Sequence, residues 1–573
     1  MKNKIYTISF ILIFIFISGC DDLNRAMLDS PSDVTFYSNE TELLMALNAC
    51  YREMVPQGRS GRIYVSLDNI TDIGFQREAT PDKAITNGNI DSQNTYIGNA
   101  WRDMYRTISK TNQLLHNMDR AVDNVTPELY ERIAAEARFI RSLNYFILTQ
   151  LFGDVPLIIN LLSDDEYKEV TRTPKDEIVT FILEELNEIH EILPLSYSNE
   201  DRGRVTSGAA LALKARVALY NELYEEARDT ANLIIQNGVY ALHPSYRELF
   251  MYGGQDSQEI ILAYQYLNGV NSNNLPRNIQ TRMSSPNGWS IFTPSQDLID
   301  SYEVIDGKLI TESPMYDPAN PFANRDPRLE QSIILPRVGS ATETIMPGTM
   351  WQGYEFKTGR EIPGEEYYMV DGNRVANQDV VNEYASFTGY NWLKYLDPID
   401  SNRNPDQSDL NFILFRYAEV LLIYAEAKIE LNEIDQSVRD ALNEIRARAY
   451  NTDITDVDHY PAITTNDQTE LRRVLRRERK VELALEGFRY DDIRRWRIAE
   501  KAMDGVKYGR PKNYTTLTTT PNIDEDGLMD YSEIAEELRY IETNSFDGNV
   551  HYLWPIPQRE IDLNPNLQQN TGY

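Results

Sequence analysis

The sequence predicts an all-α protein: a scaffold of helical hairpins that carries a loop-rich, irregular insertion in its second half. Three observations support this. Apolar residues recur at spacings of three and four through residues 41–54, 98–119, 127–151 and 175–192, the signature of one-sided helices. Two further stretches, 206–237 and 415–449, each read as a pair of helices joined by a short turn. Between them, from roughly 250 to 412, Pro, Gly, Asn and Tyr are frequent and helical periods are few.

The hairpins explain the class in more detail. In 206–237 the turn falls near Asn221, and Ala215, Ala218, Ala227 and Ala231 supply small side chains where paired helices approach closely. This pattern resembles a tetratricopeptide repeat. In 415–449 the inner face is Ala418, Leu421, Leu422, Ala425 and Ile429. Residues 471–496 combine an apolar stripe (Leu471, Val474, Leu475, Val481 and Leu485) with Glu478, Glu482 and Glu486 set three or four residues from Arg and Lys. Gly487 interrupts the helix and a second apolar rhythm restarts through Phe488, Ile493 and Trp496. The stretch reads as an element half buried by charge pairing, around which neighbouring helices pack.

Length and composition bound the function. At 573 residues with 42% hydrophobic composition, the chain can bury a large core, organised as two intimately packed halves. A net charge of −32 argues against nucleic-acid binding, which needs cations to displace counterions from phosphate. Lys2 and Lys4 precede an apolar run from Ile5 to Ile17, the layout of an export signal and too short for a comfortable membrane span. The ISGC sequence ending at Cys20 resembles the lipobox of bacterial lipoproteins, so residues 1–19 read as the signal, Cys20 as the lipidation site and 20–40 as a tether. The expected division then runs 41–250 for an N-terminal helical region and 251–573 for a C-terminal region, loop-rich to about 412 and helical after it. With Cys20 acylated, Cys50 has no disulfide partner; it lies on the face of Leu43, Leu44, Leu47 and Met54 and reads as a small core residue.

Chemical motifs are sparse. The five histidines are scattered and none forms a zinc-binding spacing, no G-x-S-x-G elbow occurs, and QGRSGR at 57–62 lacks the Lys-Ser/Thr end of a phosphate loop. No cofactor and no catalytic residue are expected. The segment Asn522–Glu533 has calcium-loop spacing, with Asn522, Asp524, Asp526, Gly527, Asp530 and Glu533 at the required offsets. It opens on Asn rather than Asp and has no entering helix, so an acidic turn capping a helix at 533–541 is the alternative. A sugar-binding face needs an aromatic ring to cover the apolar side of a pyranose, with amide, carboxylate or guanidinium groups beside it. Candidates in loops are Phe75 and Tyr96, near Asp91 and Asn94, and then Asn287, Trp289 and Phe292.

Several separated stretches together resemble the SusD/RagB family of outer-membrane nutrient-binding lipoproteins. They are ISGC; RSLNYFILTQLFGDVPLI at 141–158; Trp289 with PSQDLIDSYEVIDG; NRDPRL at 324–329; RYAEVLLIYAEA at 416–427; LRRERKVELALEGFRYDDIRRW at 475–496; and the closing YLWPIPQREIDLNPNLQQNTGY. The likeness runs in order along the whole chain after the signal. It implies a tetratricopeptide-containing scaffold anchored at the outer membrane and facing the cell exterior. It also implies a TonB-dependent, SusC-like β-barrel transporter as partner, to which captured oligosaccharide is delivered. Two other functions stay open on the sequence: capture of peptides and hydrolysis of glycosides at the surface, the latter requiring a facing carboxylate pair.

Overall fold

The computed structural model describes residues 36–58, 61–198, 200–281, 288–335, 367–370, 373–376, 384–401, 406–512 and 516–573. Cys20 and Asn287 lie outside them. The principal helices are α1 (Glu40–Arg52), α2 (Ile63–Asn69), α3 (Thr95–Asn117), α4 (Pro127–Phe152), α5 (Lys175–Ile192), α6 (Ser207–Tyr220), α7 (Tyr224–Gln236), α8 (Tyr417–Glu430), α9 (Gln436–Ala449), α10 (Gln468–Glu482) and α11 (Arg489–Arg495). Among the described residues strands are short and pair in twos, the pairs used below being β1 (Gly74–Gln76) with β3 (Phe292–Pro294), β2 (Ile260–Tyr264) with β4 (Phe412–Arg416), and β5 (Gly505–Pro511) with β6 (Leu538–Asn544). The protein is all-α in class, with tetratricopeptide-like hairpins forming the scaffold.

Local sequence accounts for the helix ends. Asn39, Thr126, Thr206 and Asp467 each accept an amide hydrogen bond at the start of α1, α4, α6 and α10, and Pro127 opens α4 where a missing N–H costs nothing. The α6–α7 turn falls at Asn221, as the alanine pattern predicts; Ala215, Ala218, Ala227 and Ala231 are fully buried. One hydrophobic core runs from Leu43 in α1 to Ile556 in the tail, so both halves of the chain share it. Cys50 is inside this core, and burial pushes its thiol up to about 12, which makes it inert.

Two local expectations are corrected. The stretch 56–97, which falls between the helical periods at 41–54 and 98–119 and so reads as a long loop, contains α2, every residue of which is buried, and strand β1. A helix buried all round has no polar face, and so no apolar period to detect. The helix expected at 533–541 is instead a single 3-10 turn, Ala535–Glu537, followed by β6. Pairing of β6 with β5 supplies the hydrogen bonds that decide between the two states.

The charged stretch is deeply buried. Glu482, at 0% exposure, receives Arg416 at 2.7 Å and Arg328 at 2.9 Å, with Arg448 also bound to it. Arg416 also grips Glu486 at 2.7 Å and Glu259 at 2.8 Å. Beside it, Arg446 holds Glu303 at 2.9 Å, Arg479 holds Asp492 at 2.9 Å, and Lys394 reaches Glu486 at 2.6 Å. Burial by itself would raise Glu482, but Arg448, Arg416 and Arg328 outweigh it and hold the carboxyl well below the usual range. Burial lowers Lys394 to about 8 despite Glu486. These ions come from β4, α9, α10, α11 and three connecting segments, so their mutual neutralisation joins the hairpins to the irregular region.

The break at Gly487 has its own geometry. Its φ is +89°, and a Cβ there would lie 2.4 Å from the Cβ of Tyr64 in α2. Asp68 of α2 accepts the amides of Gly487 at 2.8 Å and Arg489 at 3.0 Å, capping α11 from another part of the chain. The closing tail is stapled alongside: Trp554, 0% exposed, donates its indole N–H to the Tyr490 hydroxyl at 2.8 Å and its amide to the Leu151 carbonyl at 2.7 Å.

Candidate ligand-binding face

Trp289 sits on a clamped loop. Its amide donates to the Arg277 carbonyl at 2.8 Å, the Ser290 amide to Gln280 at 3.1 Å and the Ile291 amide to Asn278 at 2.7 Å. Gly288 approaches the Thr281 carbonyl so closely that a Cβ would come within 2.4 Å. After Ile291 the chain enters β3, whose register with β1 pairs Phe75 with Thr293 and Gln76 with Phe292. The amide of Arg77, next after β1, donates to the Ile291 carbonyl at 3.0 Å.

On this frame the side chains form a ladder of rings and guanidinium groups. The Arg277 guanidinium lies 4.3 Å from the Trp289 ring centre. The Trp289 and Tyr384 rings are 6.1 Å apart and inclined at only 21°. The Arg77 guanidinium follows, 4.9 Å from Tyr384 and 6.0 Å from Phe387. Phe387 meets Phe75 edge-on at 6.2 Å, and the Lys83 ammonium stands 4.2 Å from the Phe75 ring. Such cation–ring contacts contribute about 0.5–2 kcal/mol each, the more the better they are desolvated. Trp289 and Tyr384 are half-buried, so part of each ring meets solvent. The carboxylates bordering the ladder are paired: Glu78 with Arg77 at 3.6 Å, and Asp406 with Arg277.

The structure brings Phe75 and Trp289 into this one cluster and commits Tyr96 and Phe292 to packing elsewhere. Phe292 is 0% exposed within β3 and has no face to offer a ligand. Tyr96 packs at 5.9 Å against Trp554, and burial raises its hydroxyl well above the ordinary phenol value. Asp91 and Asn94 are committed to local structure: Asp91 accepts the Gln93 amide at 2.8 Å, and Asn94 caps α3 through the amides of Tyr96 and Ile97. Sequence reading missed Tyr384, Phe387, Arg77 and Arg277. Tyr384 and Phe387 fall in the stretch from roughly 250 to 412 that reads as loop-rich, but nothing in a single chain signals that residue 384 meets residue 289.

The 522–533 segment forms a hairpin, Asn522–Ile523 against Met529–Asp530. The Asp524 carboxylate accepts the amides of Asp526 and Leu528 at 2.9 Å each, while Asp526 is held by Arg476 at 2.9 Å and Lys501 at 2.8 Å. Arg476 and Lys501 thus neutralise Asp526, one of the six positions of the calcium-loop spacing, and no group of three or more potential metal ligands occurs among the described residues.

The fold and this face define a helical-repeat scaffold that presents a loop-borne aromatic surface, and comparison with known proteins places it. The chain belongs to the SusD family, whose pattern matches residues 258–573; residues 27–219 match a second pattern described as starch-binding, associating with the outer membrane. It is 24% identical to SusD-like protein P2 of Formosa agariphila over the full length of both chains. It is 25% identical to the starch-binding protein SusD of Bacteroides thetaiotaomicron, over 77% of this chain and 73% of that one. A crystal structure of a SusD-like carbohydrate binding protein from Bacteroides fragilis superposes with a TM-score of 0.79 at 29% identity, covering 93% of this chain and all of the other. No helix among the described residues is long and apolar enough to cross a membrane.

Proposed function

We propose that the protein is a non-catalytic, surface-exposed binding lipoprotein, anchored through Cys20 and facing the cell exterior. It captures oligosaccharides and passes them to a TonB-dependent, SusC-like β-barrel transporter. The observation that carries this reading is the half-buried Trp289–Tyr384 pair, flanked by Arg277 and Arg77 on a clamped loop. Ring faces suit the apolar side of a sugar, and guanidinium groups suit its hydroxyls. The B. fragilis relative is described as carbohydrate binding and the B. thetaiotaomicron relative as starch-binding, which supports the same ligand class. The carboxylates seen at the ladder are each tied to a cation, Glu78 to Arg77, Asp406 to Arg277 and Glu542 to Lys83, rather than standing as the facing acid pair that glycoside hydrolysis requires.

The test is calorimetry of the purified chain against starch- and laminarin-derived oligosaccharides, with a mixed peptide library in parallel. Oligosaccharide binding, weakened about tenfold or more by Trp289→Ala and unaccompanied by hydrolysis, supports the reading. Peptide binding alone moves the protein to peptide capture, and release of reducing ends makes it a hydrolase. Co-purification of a β-barrel from membranes checks delivery, and mass spectrometry of a Cys20→Ala variant checks the anchor.

A further inference from the structure

Arg77 belongs to the first half of the chain, whereas Trp289, Tyr384 and Phe387 belong to the second. Its side chain is only 7% exposed, yet it lies at the aromatic face and not in the ion network of α10. Three of its bonds reach different parts of that face. The amide fixes the approach to β3 through Ile291 at 3.0 Å, Nη1 donates to the Trp289 carbonyl at 2.8 Å, and the guanidinium plane lies against Tyr384 at 4.9 Å. A planar fork can donate in its plane and stack through its face at once, which an ammonium cannot do.

We propose that Arg77 is a positioning residue for ligand capture: it sets the spacing and tilt of the Trp289–Tyr384 pair by holding the backbone of one ring and the face of the other. This rests on the reading of that pair as the ligand face. The face is then complete only when the two halves are docked, and its rings are held in place before ligand arrives, which lowers the ordering cost of binding.

The test compares Arg77→Lys, Arg77→Ala and Trp289→Ala in the full chain, by near-ultraviolet circular dichroism, thermal melting and calorimetry with the same glucan oligosaccharides. The expected result for Arg77→Lys is a melting temperature close to the parent's, loss of the dichroism that Trp289→Ala also removes, and affinity lower by about tenfold, the scale of one lost charge-assisted hydrogen bond. If Arg77→Ala fails to fold, the lysine variant decides alone. Arg77→Lys with parental dichroism and parental affinity overturns the proposal. Should Trp289→Ala bind like the parent, the glycan-face reading fails, while the dichroism still decides whether Arg77 orients the rings.

Discussion

Two regions of this molecule are rich in arginine and use it in opposite ways. In the ion network around α10, guanidinium forks meet carboxylates: Arg416 alone serves Glu259, Glu482 and Glu486, at 1% exposure. At the candidate ligand-binding face, Arg77 and Arg277 each pair with one carboxylate, Glu78 and Asp406, and also lie against rings, and Arg77 donates to a main-chain carbonyl. The first arrangement neutralises charge in a dry interior, and any single loss leaves an uncompensated ion. The second holds flat surfaces half in water, where each contact is modest. What surrounds an arginine, carboxylates or rings, sets what it is worth.

The strongest way to break the contrast is Glu482→Ala. It strands Arg328, Arg416 and Arg448 without a shared carboxylate, and chemical denaturation should show a loss of about 3–5 kcal/mol. A variant that melts like the parent would return the stretch to a surface role.

Acid and base should then separate the network from its surroundings. Burial would raise Glu303, but Arg446 and Arg477 hold it down to about 2, against an ordinary 4.5. Its contribution is therefore intact above pH 4.5 and lost as pH falls from there to 2. Asp68 goes the other way: burial lifts it from 3.8 to about 7, although the Gly487 and Arg489 amides oppose the shift. The unfolded chain gives up this proton first, so stability falls as pH rises from about 4 to 7 and stays lower above. Asp68→Asn should flatten the profile in that window while leaving the acid limb unchanged, as urea midpoints across pH would record.

At the proposed ligand-binding face the order of effects inverts. Trp289→Ala should shift the melting temperature by no more than a few degrees while abolishing or greatly weakening glycan binding, because the ring is only half-buried. The smallest effect belongs to an exposed ion pair. Arg228 and Glu433 meet at 2.7 Å with side chains 23% and 44% exposed, and Arg228→Ala should change stability by about 0–1 kcal/mol. A large loss there would show that exposure does not grade these arginines after all.

The same contrast explains what the sequence disclosed. Periodicity revealed the long helices, and the spacing of Glu478, Glu482 and Glu486 marked α10 as held by charge pairing, because both signals are local. The partners of those glutamates were not legible: Arg328 and Arg416 reach them from 150 and 66 residues away. At the proposed ligand-binding face Trp289 stood out as a loop aromatic, yet Tyr96 and Phe292 looked the same in sequence and are committed to packing. Arg77 carried no signal, since its partner Trp289 lies 212 residues on.

The cap on α11 has a consequence for how the chain reaches its folded state. Asp68 and Gly487 are 419 residues apart, and Tyr64 leaves no room for a side chain at position 487. An early segment therefore stays without its final neighbours until most of the chain is made, and closing so long a loop is slow. A protein tied together this way should fold late and as a unit, with truncations before the tail trapped as incomplete intermediates rather than as working halves.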